Sequence, residues 1–137
     1  MARAMVRRGH DVSIYTTNFN GADDLDVPLG VPVDTGGVSV TYFQVHAPRF
    51  WETCFPLGRA LQADAGKFDL MHLHSLYMYH DRAGARAARR SGIPYIVRPH
   101  GTRPGTGCRP SLHDEGRMAA CRPGCAQSLR IRGPERA

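Results

Sequence analysis

Over the first hundred positions the apolar residues fall in short blocks, and the spacing within them switches between helical and strand periods. Met1, Met5 and Val6 share one side of a helical turn. Arg7 and Arg8 follow where the end of a helix dipole favours cations, and Gly9 is suited to the left-handed residue that closes the helix. In Asp11–Thr16, Val12 and Ile14 alternate with polar neighbours, which predicts a strand. Residues 17–36 are rich in Asn, Gly, Asp and Pro, lack a period, and predict a long loop of the kind that often carries function. Alternation returns at Gly37–Val45, with Val38, Val40 and Tyr42 in one register. Phe55–Ala65 then predicts a short helix with Pro56 in its first turn, Leu57 and Leu61 on one face, and Gly66 as its end.

Asp69–His74 is nearly continuous in apolar character, as expected of a parallel strand covered on both faces. Met78–Arg90 predicts a helix with Ala83 and Ala87 as a small-residue stripe opposite arginines. Ser91-Gly92 ends it, and Pro94–Val97 is the next strand. Helices alternating with parallel-type strands predict an α/β fold, a doubly wound sheet with right-handed crossovers. From Arg103 the period stops: residues 103–137 hold 9 Gly and Pro in 35 positions and no sustained register. The expectation is one domain over residues 1–102, followed by a tail at 103–137 that is irregular, disordered or read out of frame and does not join a core.

A chain of 137 residues accommodates one domain of ordinary size, and 42% hydrophobic with 22% charged residues is a globular composition. The net charge of +6 suggests an acidic partner only if it is spread over the folded surface. Residues 1–102 carry 11 Lys and Arg against 9 Asp and Glu, so most of the excess lies in the tail. No basic stripe interleaves with aromatics, which argues against nucleic-acid binding. No apolar run approaches the ~20 residues of a membrane span, and no signal-type apolar segment opens the chain, so a cytoplasmic location is expected. Cys54 stands alone in the body. Cys108, Cys121 and Cys125 lie in the tail with His113, without the close cysteine pair of a structural zinc site.

Three stretches, in this order and at this separation, resemble the N-terminal domain of family-four glycosyltransferases of the GT-B fold. They are Arg7-Arg-Gly-His-Asp-Val-Ser-Ile-Tyr-Thr-Thr17, Phe68-Asp-Leu-Met-His-Leu-His-Ser75 and Gly92-Ile-Pro-Tyr-Ile-Val-Arg-Pro-His-Gly-Thr102. The resemblance covers residues 1–102 and implies an acceptor-side Rossmann-like lobe. The intact enzyme would transfer a glycosyl group from a nucleotide-sugar to a hydroxyl of a glycan, lipid or other acceptor, with retention of anomeric configuration and no metal or further cofactor. Measured against the family, the chain is expected to be cut short at both ends. The first strand would be missing from between those at Asp11 and Asp69, leaving their backbone partners unpaired. The second domain, with its E-x7-E signature, would also be missing, so the piece alone is expected to be inactive. Peripheral membrane contact remains compatible with this reading. So does a non-catalytic fragment or small Rossmann-like binding module, although no G-x-G-x-x-G follows a strand.

Ligands of open α/β sheets bind outside the carboxyl ends of the strands, and His74 and His100 both fall there. Gly101 lets the backbone approach a ligand closely, and Pro99 fixes the entry to that turn. The resemblance implies that His100 orients the acceptor hydroxyl or stabilises leaving-phosphate charge; otherwise it caps a turn. His74 either lines the cleft or fills a half-buried position. Arg98 is a phosphate contact or a solvated side chain, and Gly101 and Thr102 complete the candidate acceptor or phosphate loop. His72 shares a face with His74 but has no nearby third ligand for a metal, and His10 anchors the Gly-His turn.

Overall fold

The computed structural model describes residues 1–99 and the backbone of a strand at residues 127–132. Helix α1 (Ala2–Val6) ends through Gly9, whose φ of 84° lets its N–H reach the Val6 carbonyl at 2.9 Å. Strand β1 (Asp11–Thr17) follows. The long loop is not featureless: it holds a small hairpin of β2 (Phe19–Asn20) and β3 (Asp23–Asp24), then β4 (Pro32–Asp34). Next come β5 (Ser39–Phe43), a 3-10 turn at Arg49–Trp51, helix α2 (Phe55–Asp64) and strand β6 (Leu70–His74). Helix α3 (Tyr79–Ser91) and strand β7 (Tyr95–Val97) complete the body, and β8 is Gln127–Arg132.

The main sheet has the order β4-β5-β1-β8-β6-β7. β1 pairs parallel with β5, and β6 parallel with β7, as expected of a Rossmann-like α/β fold. The expected gap between β1 and β6 is filled. β8 lies in it antiparallel to both, pairing Ile14↔Leu129 on one side and His72↔Leu129 on the other. The expectation of an irregular tail, and of unpaired backbone flanking a missing strand, is therefore corrected at 127–132. Two facing strand edges with free donors and acceptors are a strong template for a segment as extended as Gln127-Ser-Leu-Arg-Ile-Arg132.

Both faces of the sheet are covered. On one, α1 lays Ala2, Met5 and Val6 over buried Val12, Ile14, Val38 and Val40. On the other, α2 contributes Leu57 and Leu61 and α3 contributes Ala87 and Ala88 to a core with Phe43, Cys54, Met71 and Leu73. β5 departs from simple alternation, because Thr41 and Phe43 are buried as well as Val40. Gly66 does not end α2 by a left-handed turn; the chain continues as a 3-10 turn over Ala65–Lys67. Gly92 does end α3 that way, with φ 68°. β7 lies at the sheet edge, and its Ile96 is 51% exposed.

Candidate functional site

Because β1, β5, β6 and β7 run in one direction, the loops that leave their carboxyl ends gather along one edge. The loops after β1 and β5 are joined by side chains. Buried Asn18 accepts the Val45 N–H at 3.0 Å and donates to Gln44, which in turn donates to Asp24 at 2.8 Å. Arg49 forms an ion pair with Asp24 at 2.9 Å, donates to the Gly21 carbonyl and lies over the Phe19 ring. The Gln44 hydrogen bond, with Arg49 beside it, holds the Asp24 carboxyl below its usual range.

The loops after β5 and β6 meet through Trp51, whose indole Nε1 donates to the Tyr77 carbonyl. Both flanking turns are in left-handed backbone without glycine: Glu52 at φ 47° and Tyr77 at φ 72°. Such conformations cost of order 1–3 kcal/mol and persist only where the surroundings fix them. Between these turns Trp51, Tyr77, Met78, Asp81 and Arg82 line an open pocket of about 290 Å³.

Three ionisable side chains are packed around the start of α3. Glu52 and His80 are each 1% exposed, and Glu52 Oε2 and both His80 ring nitrogens have no hydrogen-bond partner among the described residues. Asp81 Oδ2 accepts the Met78 N–H at 3.0 Å, capping α3, while its buried Oδ1 has no hydrogen bond among the described residues. His80 Nε2 lies 3.3 Å from that Oδ1, without hydrogen-bonding alignment. Burial, reinforced by the Asp81 charge, raises the Glu52 carboxyl to about 7. Burial also raises Asp81, against the pull of the Met78 N–H, and lowers His80 to about 4. Cys54 is a different case. Its thiol donates to the Gln44 carbonyl at 3.0 Å, and burial pushes it up to about 11, which makes it a packing residue and not a nucleophile.

Of the residues singled out from sequence, His74 and Arg98 come together on this edge. His74 ends β6, half-buried, its ring 4.2 Å from that of His72. Arg98 is exposed one residue beyond β7, and its N–H donates to the Leu73 carbonyl at 2.8 Å. His100, Gly101 and Thr102 lie outside the described residues, as do Cys108, His113, Cys121 and Cys125. His10 holds its turn through a backbone bond to the Met5 carbonyl at 3.2 Å. Among the described residues no three His, Cys, Asp or Glu side chains are grouped to hold a metal ion, and no helix is long and apolar enough to cross a membrane. Sequence reasoning missed Glu52, His80 and Asp81. The only signal was an acid in the first turn of a helix after an apolar strand, a pattern too common to stand out.

A sequence profile described as "Glycosyl transferase 4-like domain" matches residues 1–130. The chain belongs to that family. This glycosyl transferase 4-like match runs past Thr102, where the three quoted stretches end, and takes in the start of β8. The covered sheet and the clustered post-strand loops are those of an α/β Rossmann-like domain, and the family implies a nucleotide-sugar and an acceptor as partners. No curated protein and no solved structure matches the chain significantly.

Proposed function

We propose that this chain is the acceptor-side lobe of a glycosyltransferase that moves a glycosyl group from a nucleotide-sugar to an acceptor hydroxyl, and that it does not transfer by itself. The observation that carries this reading is the convergence of three post-strand loops on one edge, in a chain that belongs to a glycosyltransferase family. His74 and Arg98 stand at the β6–β7 end of that edge, and the loop of His100, Gly101 and Thr102 follows directly in sequence. In this reading His100 orients the acceptor hydroxyl or stabilises charge on the departing phosphate, while His74, Arg98, Gly101 and Thr102 contact acceptor or phosphate. The nucleotide-sugar is a substrate, no metal or further cofactor is required, and the lobe works in the cytoplasm. Holding both reactants in attack geometry needs a second, donor-binding wall, because positioning supplies much of the barrier reduction.

The test has two stages. The chain incubated with labelled nucleotide-sugars and hydroxyl acceptors should give the background of a heat-killed control. Joined to a donor-binding domain with the E-x7-E signature, it should transfer, and His100→Ala should lower that turnover by roughly 10²-fold. Turnover by the chain alone, or no transfer from the joined protein, overturns the reading.

A further inference from the structure

The turn between β5 and α2 closes over a carboxyl that has no counter-charge. It consists of the 3-10 turn Arg49–Trp51 and then Glu52, whose backbone is left-handed at φ 47° although it is not glycine. Polar contacts at two points tie it to the rest of the molecule. Arg49 pairs with Asp24 and donates to the Gly21 carbonyl, and the Trp51 indole donates to the Tyr77 carbonyl. Apolar packing adds little, since Phe50 is 83% and Trp51 37% exposed. A segment held in this way opens at lower cost than the sheet behind it.

Glu52 itself is buried, and its Oε2 meets no donor among the described residues. The titratable and charged groups around it do not supply a cation. Asp81 on α3 is a second carboxyl, which caps the helix through the Met78 N–H and acts on Glu52 by like-charge repulsion. His80 is buried and stays neutral above about pH 4. Cys54 and Tyr79 keep their protons, because burial raises both. Arg49 is engaged with Asp24, Arg82 lines the open pocket, and the His46 ring lies against Phe55. An ionised Glu52 in this setting is a buried charge without a partner, which folded proteins avoid by neutralising the group or exposing it.

We propose that the turn at Arg49–Glu52 is a proton-operated latch: protonated Glu52 holds it closed on the Tyr77 carbonyl, and loss of that proton swings Glu52 into solvent and releases Trp51. The direction follows from burial, which raises the closed-state carboxyl from 4.5 to about 7. Closure is fully favoured below about 4.5 and is lost as pH rises through about 7, and the opening constant grows by about two orders of magnitude on the way. Opening parts the loops after β5 and β6 and so widens the edge where the acceptor is proposed to bind. That consequence rests on the acceptor-lobe reading; the latch itself does not.

Trp51 is the only tryptophan of the chain, so its indole N–H is a single NMR resonance. Hydrogen exchange of the full 137-residue chain is followed between pH 4.5 and pH 7.5, each rate divided by the intrinsic rate at that pH. Protection of the Trp51 indole and of the Glu52 backbone N–H, which donates to the Arg49 carbonyl at 2.9 Å, should fall by about 100-fold over that range. Ile14 and Leu73 in the sheet should keep theirs. Glu52→Gln should hold the turn closed, with protection independent of pH. A flat profile in the wild-type protein overturns the proposal. The same fall in Glu52→Gln overturns it too, because the proton then belongs to another group such as His46. A parallel fall at Ile14 and Leu73 is global unfolding and also overturns it. Should Glu52→Gln not fold, the Glu52 carboxyl carbon of the wild-type protein decides by its own titration: a midpoint near 7 supports the latch, and one near 4.5 overturns it. Failure of the joined-domain transfer test beside an intact latch removes the lobe reading alone, and a flat profile in a protein that transfers removes the latch alone.

Discussion

Among the described residues, Glu52 carries its carboxyl in a buried turn with one oxygen unpartnered, and His80 is buried with both ring nitrogens unpartnered. Their pH effects have opposite signs. The Glu52 carboxyl is raised from 4.5 to about 7, so its stabilising contribution is present below about 4.5 and lost as pH rises through about 7. His80 is lowered from 6.5 to about 4, so its contribution is present above 6.5 and lost as pH falls through about 4. Between those limits the two oppose each other, and the wild-type protein should show a shallow pH dependence. Glu52→Gln removes the first and should be more stable than wild type at pH 8 but not at pH 4.5, read from urea midpoints. An identical difference at both pH values would mean that the carboxylate is solvated. His80→Asn should expose the opposite behaviour, a steeper loss of stability from pH 5 to pH 7, contributed by Glu52.

Among the elements, α3 is fitted most closely to the sheet. A Cβ placed on Gly84 would lie 2.5 Å from Leu73 Cδ2 and 3.3 Å from Met71 Sδ, and both of those side chains are fully buried. Gly84→Ala should therefore destabilise by roughly 1–3 kcal/mol, the range of overpacking, despite the better helix propensity of alanine. Gly66→Ala is the control. Its Cβ would meet nothing nearer than Ser91 at 4.0 Å and its backbone is not left-handed, so the denaturation midpoint should hardly move. The helix itself was legible from sequence to within a residue at either end, since Ala87 and the arginines show a clear period and Gly92 closes it. Gly84 as the point of closest approach was not, because proximity to Leu73 depends on how deeply α3 sits on β6.

At the scale of the whole molecule, β8 decides whether the sheet is continuous, since it bridges β1 and β6. Leu129→Pro removes a backbone donor from the strand that pairs with both neighbours at Ile14 and His72, so it should abolish cooperative thermal unfolding. A cooperative melt at the wild-type temperature would show that β1 and β6 do not depend on β8. The bearing of β8 was hidden in the sequence: six residues of weak alternation in a Gly- and Pro-rich tail acquire their conformation from two strand edges more than fifty residues apart in the chain. By itself the sequence determined the α/β class, the helices and parallel strands of the body, the family resemblance and the positions of His74 and Arg98 at strand ends. Periodicity and strand direction are local or near-local properties, written in consecutive residues. Only the tertiary structure decided that β8 fills the centre of the sheet, that Trp51 meets Tyr77, and that Glu52, His80 and Asp81 share one buried environment. Burial and electrostatic coupling arise from which loops converge in space, and no spacing along the chain encodes that convergence.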